Sequence, residues 1–420
     1  MSDRVNTNVF TKEMKETHTL LFPNMLTTHF MILRNILQSY GFKIEVLQND
    51  GPQVVEEGLR YVHNDTCYPA LLTIGQMIDA LKSGKYDVEH VALLMSQTGG
   101  GCRASNYAYL LRKALRDAGL GHVPVVTINL STLENNPGFR LTIPMLRRML
   151  AALAYGDMLM LLSNQVRPYE VHPGQTDALV RSWVERTSGW FDANTGFSLK
   201  QVGKHYREMV HEFGSIEQKD VPKVKVGIVG EIYAKYSPLA NNGLEKFLAG
   251  EGCEVMVPGI MQFLLYAIDM PMEDTHLYGG SKFSQQATHV MFSYLTRFET
   301  ELISAVQEDG TFTAPSSYAH LKEMVTSFIG NGCKMGEGWL LTAEMIELTE
   351  SGYGNIVCAQ PFGCLPNHIV GKGMMSAIRK AYPQANIVAI DYDPGATKVN
   401  QENRIKLMLS IARENLEKEK

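Results

Sequence analysis

Short runs of consecutive apolar residues alternate along this chain with longer segments in which apolar positions recur every three or four residues. HTLLFP (18–23), FKIEVLQ (42–48), HVALLMSQ (90–97) and VPVVTINL (123–130) are of the first kind. An unbroken apolar run is what a strand covered on both faces of a parallel sheet shows. Between them the spacing predicts helices over 27–40, from about Cys67, and after the turn TGGG through CRASNYAYLLRKALRDAGL. From 141 to about 215 the pattern is helical, with Pro144 marking a start and QTDALVRSWVER reading as amphipathic. The polar stretch SIEQKDVPKV (215–224) reads as a linker. A second unit follows: the strand VKVGIVG, a helix near 241–250, the strand CEVMVPG, and helices through the 260s, 280s, 320s and 337–351. The strand NIVCA, a helix from Pro366, the strand NIVAIDYD and a C-terminal amphipathic helix complete it. Strands alternating with helices in this way predict an α/β fold with parallel sheets. At 420 residues the chain exceeds what one core supports, so two domains are predicted, 1–214 and 215–420.

Composition narrows the partners. Hydrophobic residues make up 45% and charged residues 20%, an ordinary globular profile, and the net charge of −5 leaves no basic stripe for nucleic acid. The longest apolar stretch, MLAALAYGDMLMLL (149–162), is too short for a bilayer and carries Asp157, so a buried helix is predicted and no membrane span. The N-terminus lacks the pattern of a secretory signal, and a cytoplasmic location is expected. No phosphate-loop motif is present, and GIVG lacks the third glycine and the acidic residue of a dinucleotide fingerprint, so no nucleotide is expected.

Six cysteines in such a chain are too sparse for a disulfide scaffold. Four of them, Cys67, Cys102, Cys358 and Cys364, fall where a predicted strand or turn meets a helix. The carboxyl ends of parallel strands and the starts of the following helices share one sheet edge, where ligands bind. Two such edges facing each other would gather distant thiols into one pocket, and helix N-termini favour thiolates there. Gly100, Gly101 and Gly363 would let backbone amides approach a cofactor closely. Cys253, in a strand-like run, fits a core thiol, and Cys333 fits that reading too. Zinc competes, but structural zinc sites usually carry a short C-x2–4-C pair, which is absent.

DTCYPA (65–70), QTGGGCRASNY (97–107), RPYE (167–170), GIVGEIYAKYSPLANNG (227–243), MGEGWLLTAEM (335–345) and PFGCLPNHIVGKG (361–373) resemble the 2-hydroxyacyl-CoA dehydratase superfamily. They resemble more closely the C-terminal module of CoA-substrate-specific activase-related proteins, and the likeness spans about 19–410. The superfamily includes dehydratase subunits and double-cubane cluster reductases, both fed by a separate ATP-hydrolysing activator that has its own iron–sulfur cluster. The resemblance implies two Rossmann-like domains with parallel sheets facing across a central cleft, plus helical segments. Between them it implies an iron–sulfur cluster on Cys67, Cys102 and Cys364, with Cys358 and Cys333 as further candidate ligands. A single 4Fe–4S cluster is expected; a double cubane would draw on Cys253 as well. An activator partner, an acyl-CoA substrate and a dimer are implied too.

Three side chains beside these motifs are candidates for chemistry. His368, one helical turn beyond Cys364, is read as a proton donor or a packing histidine. Glu337 is read as an acid or a partner of the helix dipole. Arg103 is read as orienting sulfur or a substrate carboxyl, or as capping a turn. RPYE is read chiefly as an ion-pairing segment. If four junction cysteines all held one cubane, no iron would be open and the protein would be an electron relay without substrate chemistry.

Overall fold

The computed structural model describes residues 8–63, 65–97, 101–128, 136–279 and 282–418. Strands β1 (Thr19–Phe22), β2 (Lys43–Val46), β3 (Val91–Ser96) and β4 (Val125–Ile128) form a parallel sheet in the order β2-β1-β3-β4. Strands β5 (Lys225–Gly230), β6 (Glu254–Met256), β7 (Asn355–Pro361) and β8 (Asn386–Tyr392) form a second one, in the order β6-β5-β7-β8. The α/β class read from the apolar runs is therefore the class observed. In each sheet the chain reverses its direction of progress once, at β1/β3 and at β5/β7, and such switch points open a crevice at the carboxyl ends.

Local chemistry explains the helix that brings Cys67 into place. The helix Tyr68–Lys82 carries Pro69 in its first turn and takes Cys67 as its N-cap. It is buried almost all round. Gly75 lies so close to the helix Pro52–Tyr61 that a Cβ there would stand 2.1 Å from the Val54 carbonyl oxygen and 2.8 Å from the Gly58 nitrogen. That shorter helix has only Val54 and Gly58 buried, too little apolar patterning to be separated in sequence from the loop before Cys67.

Two elements differ from expectation near Cys364. β7 extends beyond NIVCA to Pro361, because Gln360 and Pro361 pair with Asp391 and Tyr392 of β8. The segment after Pro366 is not a plain α-helix: a π-turn (Asn367–Gly371) and a 3-10 turn (Lys372–Met374) precede the α-helix Met375–Ala381. β-branched Ile369 and Val370, followed by Gly371 and Gly373, disfavour a regular helix there.

The long helix Ile143–Val166 ties the two halves of the chain together. Thr142 caps it, accepting from the Met145 N–H. Midway along, the buried Asp157 accepts hydrogen bonds from the N–H groups of Ile260 and Met261, each at 2.9 Å, and pairs with His29 Nε2 at 2.9 Å. One apolar core runs unbroken through both halves, joining Tyr155 and Trp183 to Leu265 and Trp339. A smaller cluster packs around Ile74, Leu93 and Leu111. No described helix is long and apolar enough to cross a membrane.

Candidate functional site

Strand ends and helix starts deliver five side chains to one region. Cys67 caps the helix Tyr68–Lys82, and Cys102 precedes the 3-10 turn Arg103–Asn106 that leads into the helix Tyr107–Asp117. Glu231 directly follows β5, Cys364 follows the turn after β7, and Glu337 precedes the helix Trp339–Glu350. The first half meets the second at these loops. The Tyr68 N–H donates to the Phe362 carbonyl at 2.9 Å. Gly363 adopts φ +72°, and a Cβ on it would lie 3.1 Å from the Cys67 Cα. A Cβ on Gly101 would lie 2.9 Å from the Met335 Cε. Gly100 lies outside the described residues.

The thiols share a common electrostatic environment, and it raises all three where helix N-termini were expected to favour thiolates, because burial outweighs the helix ends. Burial pushes the Cys67 thiol up, opposed by its hydrogen bond to Tyr107, with the Glu231 charge raising it further. Cys102 is pushed up to about 11 by burial first, and then by the charges of Glu337, Cys67 and Glu231. Burial raises Cys364 well above the ordinary thiol range, reinforced by Glu337, Glu231 and Cys102. Glu231 acts on all three thiols, and Glu337 on Cys102 and Cys364.

The acids are held by backbone N–H groups, and Lys235 is the cation that acts on both. Glu231 accepts from the Ala234 N–H and Glu337 from the Ile232 N–H, both at 2.8 Å, so the two carboxyls share the first turn of the helix Ile232–Tyr236. Lys235, in the same turn, pairs at 2.8 Å with Glu344, and both side chains are only 3% exposed. Burial, then the like charge of Glu337, raises the Glu231 pKa, and burial raises that of Glu337. The pocket therefore favours a positive or proton-bearing occupant beside the thiols.

Other expected residues stand apart from this group. Cys358 sits inside β7, paired with Val229 and Ala389, its Sγ 3.5 Å from Asn367 Oδ1. Burial pushes it up to about 12, and the charges that act on it are Glu344, Asp391 and Lys372. The reading that placed it at a strand-to-helix junction is corrected, because β7 continues three residues past it. Cys333 is half-buried, its carbonyl accepting from the Trp339 N–H at 2.8 Å, and burial alone raises its thiol. Cys253 is buried directly before β6. His368 donates its backbone N–H to the Cys364 carbonyl at 3.2 Å, yet its exposed ring meets Gln360 Nε2 at 2.8 Å. Arg103 is exposed on its 3-10 turn. In RPYE, Arg167 pairs with Asp177 at 2.9 Å, and Glu170 accepts from the N–H groups of Gly174 and Thr176.

Sequence reading missed Glu231, Tyr107 and the Lys235–Glu344 pair. The available signal for Glu231 was its place immediately after the last residue of an apolar strand, at the edge where parallel sheets bind ligands. Among the described residues, no group of three His, Cys, Asp or Glu side chains converges tightly enough for a single metal ion. In comparisons with known proteins, no family model matches the chain and no curated protein matches it.

Proposed function

We propose that the chain holds an iron–sulfur cluster on Cys67, Cys102 and Cys364 and accepts low-potential electrons from a separate ATP-hydrolysing activator protein. It uses them for reductive or radical chemistry of the kind that removes the hydroxyl of a 2-hydroxyacyl thioester. The observation that carries this reading is the meeting of the loops that bear the cysteines: the Tyr68 N–H, next to Cys67, donates to the Phe362 carbonyl at 2.9 Å, and Gly363, next to Cys364, packs against the Cys67 Cα. In this reading the two sheets face each other across a central cleft at that point.

The donor set fits such a group. Thiolates are the usual ligands of iron–sulfur clusters, and a cluster spreads its ligands over several irons, so its cysteines need not converge on one ion. Glycine at 363, with φ +72°, lets the turn after β7 pack tightly against the Cys67 backbone. When bound, the group supplies one-electron transfer and, at a corner without cysteine, a Lewis-acid position. Cys358 lies within β7 against Asn367, which leaves three thiols for the set and favours substrate chemistry over a pure electron relay.

The chain's own residues prepare the rest. Glu231 and Glu337 hold acid groups beside the thiols, while Lys235 neutralises Glu344 behind them. Phe362, Leu365, Ile369 and Met335 are each about half or more exposed on the loops that carry the site. An apolar rim of that kind suits a protein partner, and the activator is the partner assigned to it. A dimer and an acyl-CoA substrate belong to the same reading.

The test mixes anaerobic, iron-loaded chain with an ATP-hydrolysing activator and ATP. A change in the visible spectrum of the chain's cluster that requires ATP is the expected result, followed by loss of hydroxyl from a supplied 2-hydroxyacyl thioester. A spectrum indifferent to activator and ATP contradicts the reading.

A further inference from the structure

Among the described residues, the Cys67 thiol carries a side-chain hydrogen bond. The Tyr107 Oη stands 3.2 Å from the Cys67 Sγ, across 40 residues of sequence. Tyr107 opens the helix Tyr107–Asp117, immediately after the turn that bears Cys102, so one short segment presents a thiol and a phenol to the same region. Its ring packs among the partly buried side chains against the cluster around Leu111. The acids that act on the thiols, Glu231 and Glu337, have their carboxyls turned to backbone N–H groups.

A free thiol and a phenol can each donate. A thiolate bound to metal has no proton to give, so with the site loaded the direction is fixed: the phenol donates and the sulfur accepts. A hydrogen bond to a ligand sulfur stabilises the more negative, reduced state and raises the potential of an iron–sulfur centre, and the acids of the pocket act in the opposite sense. We propose that the Tyr107 hydroxyl is the tuning donor of the site, hydrogen-bonded to the Cys67 sulfur and setting how readily the site accepts an electron. Tyr107 is a positioning residue here, acting through Cys67. This inference rests on the iron–sulfur reading given above.

Its test compares the full chain with the variants Tyr107→Phe and Tyr109→Phe, all loaded anaerobically with iron and sulfide. Iron and sulfide content is measured first. The midpoint potential is then titrated with a one-electron reductant and followed by visible absorbance. Tyr107→Phe keeps its iron and moves the midpoint to a more negative potential. Tyr109→Phe, changed at a half-exposed ring two residues on, leaves the midpoint where it is. An unchanged or more positive midpoint in Tyr107→Phe, or the same shift in both variants, overturns the inference while the cluster stands. Absence of iron and sulfide from the wild-type chain overturns the underlying reading and the inference with it. Resonance Raman in D2O compares wild type with Tyr107→Phe, because backbone N–H groups also donate to the three sulfurs and exchange. A smaller shift of the iron–thiolate stretch on exchange in the variant supports the phenol donor, and equal shifts contradict it.

Discussion

The backbone N–H of Tyr68 donates to the carbonyl of Phe362 at 2.9 Å, joining the start of a helix in the first half of the chain to the turn after β7 in the second. The next residue, Gly363, takes φ +72° within van der Waals reach of Cys67. Gly363→Ala therefore meets two penalties, a backbone conformation unfavourable to L-residues and a contact of 3.1 Å with the Cys67 Cα. Gly84 offers the control, because it has φ +75° with nothing within 4 Å of an added Cβ. Gly84→Ala is expected to lower stability by about 1–2 kcal/mol and leave iron content unchanged. Gly363→Ala is expected to lower stability by about 1–3 kcal/mol and also to reduce iron bound. Denaturant midpoints and iron analysis of the two variants check this.

The buried pair of Lys235 and Glu344 predicts a non-additive double mutant. Lys235→Met leaves the buried Glu344 without its partner, beside the buried acids Glu337 and Glu347, which is expected to destabilise by about 3–5 kcal/mol. Replacing both partners, as Lys235→Met with Glu344→Leu, removes the stranded charge and is expected to recover most of that loss. Urea unfolding of the two single variants and the double variant measures the coupling. Additive losses would mean the pair contributes nothing as a pair.

Much of this was legible in sequence, and the exceptions have physical causes. Continuous apolar runs such as HVALLMSQ identified parallel strands, and the Gly-rich and Pro-marked junctions put Cys67 and Cys102 at helix starts and Cys364 after a strand, where they lie. Cys358 was misplaced because a polar residue and a proline after NIVCA look like a turn, whereas pairing with β8 keeps them in the strand. Spacing put His368 one turn beyond Cys364, and its backbone does reach that carbonyl, but the ring turns outward to Gln360. Glu231 carried no periodic signal. An acid after a strand ordinarily faces water, and only tertiary packing encloses this one. The Lys235–Glu344 pair joins residues 109 apart in sequence, which no local pattern can announce.

Stability should fall as the pH rises across the weakly acidic range. Burial raises Glu299 and Glu347 from 4.5 to about 7, each partly offset by a backbone N–H, from Tyr318 and Ser316 respectively. A carboxyl whose folded pKa exceeds its unfolded value contributes stability that is fully present below the unfolded value and lost as pH rises through the folded one. The loss therefore runs from about pH 4.5 to just above pH 7, up to roughly 3 kcal/mol for each group. Glu299→Gln keeps an oxygen for the Tyr318 N–H and removes the buried charge. It is expected to flatten the profile and to be the more stable protein above pH 7. Denaturant midpoints from pH 4.5 to 8 test this, and superimposable profiles would contradict it.

Cysteine substitutions should separate ligands from packing. Cys67→Ser, Cys102→Ser and Cys364→Ser are each expected to lose most of the bound iron. Cys358→Ala is expected to keep it while losing about 1–2 kcal/mol of stability from the void left inside β7. Iron content and thermal unfolding of the four variants, prepared without oxygen, check both halves of the statement.

The most direct measurement is iron and acid-labile sulfide analysis, with the visible spectrum, of wild-type chain purified or reconstituted anaerobically. The account predicts iron and sulfide in equal amounts, about four of each per chain as one 4Fe–4S cluster requires, and broad thiolate-to-iron absorbance. A colourless chain without sulfide, or one that carries zinc in place of iron, would contradict it.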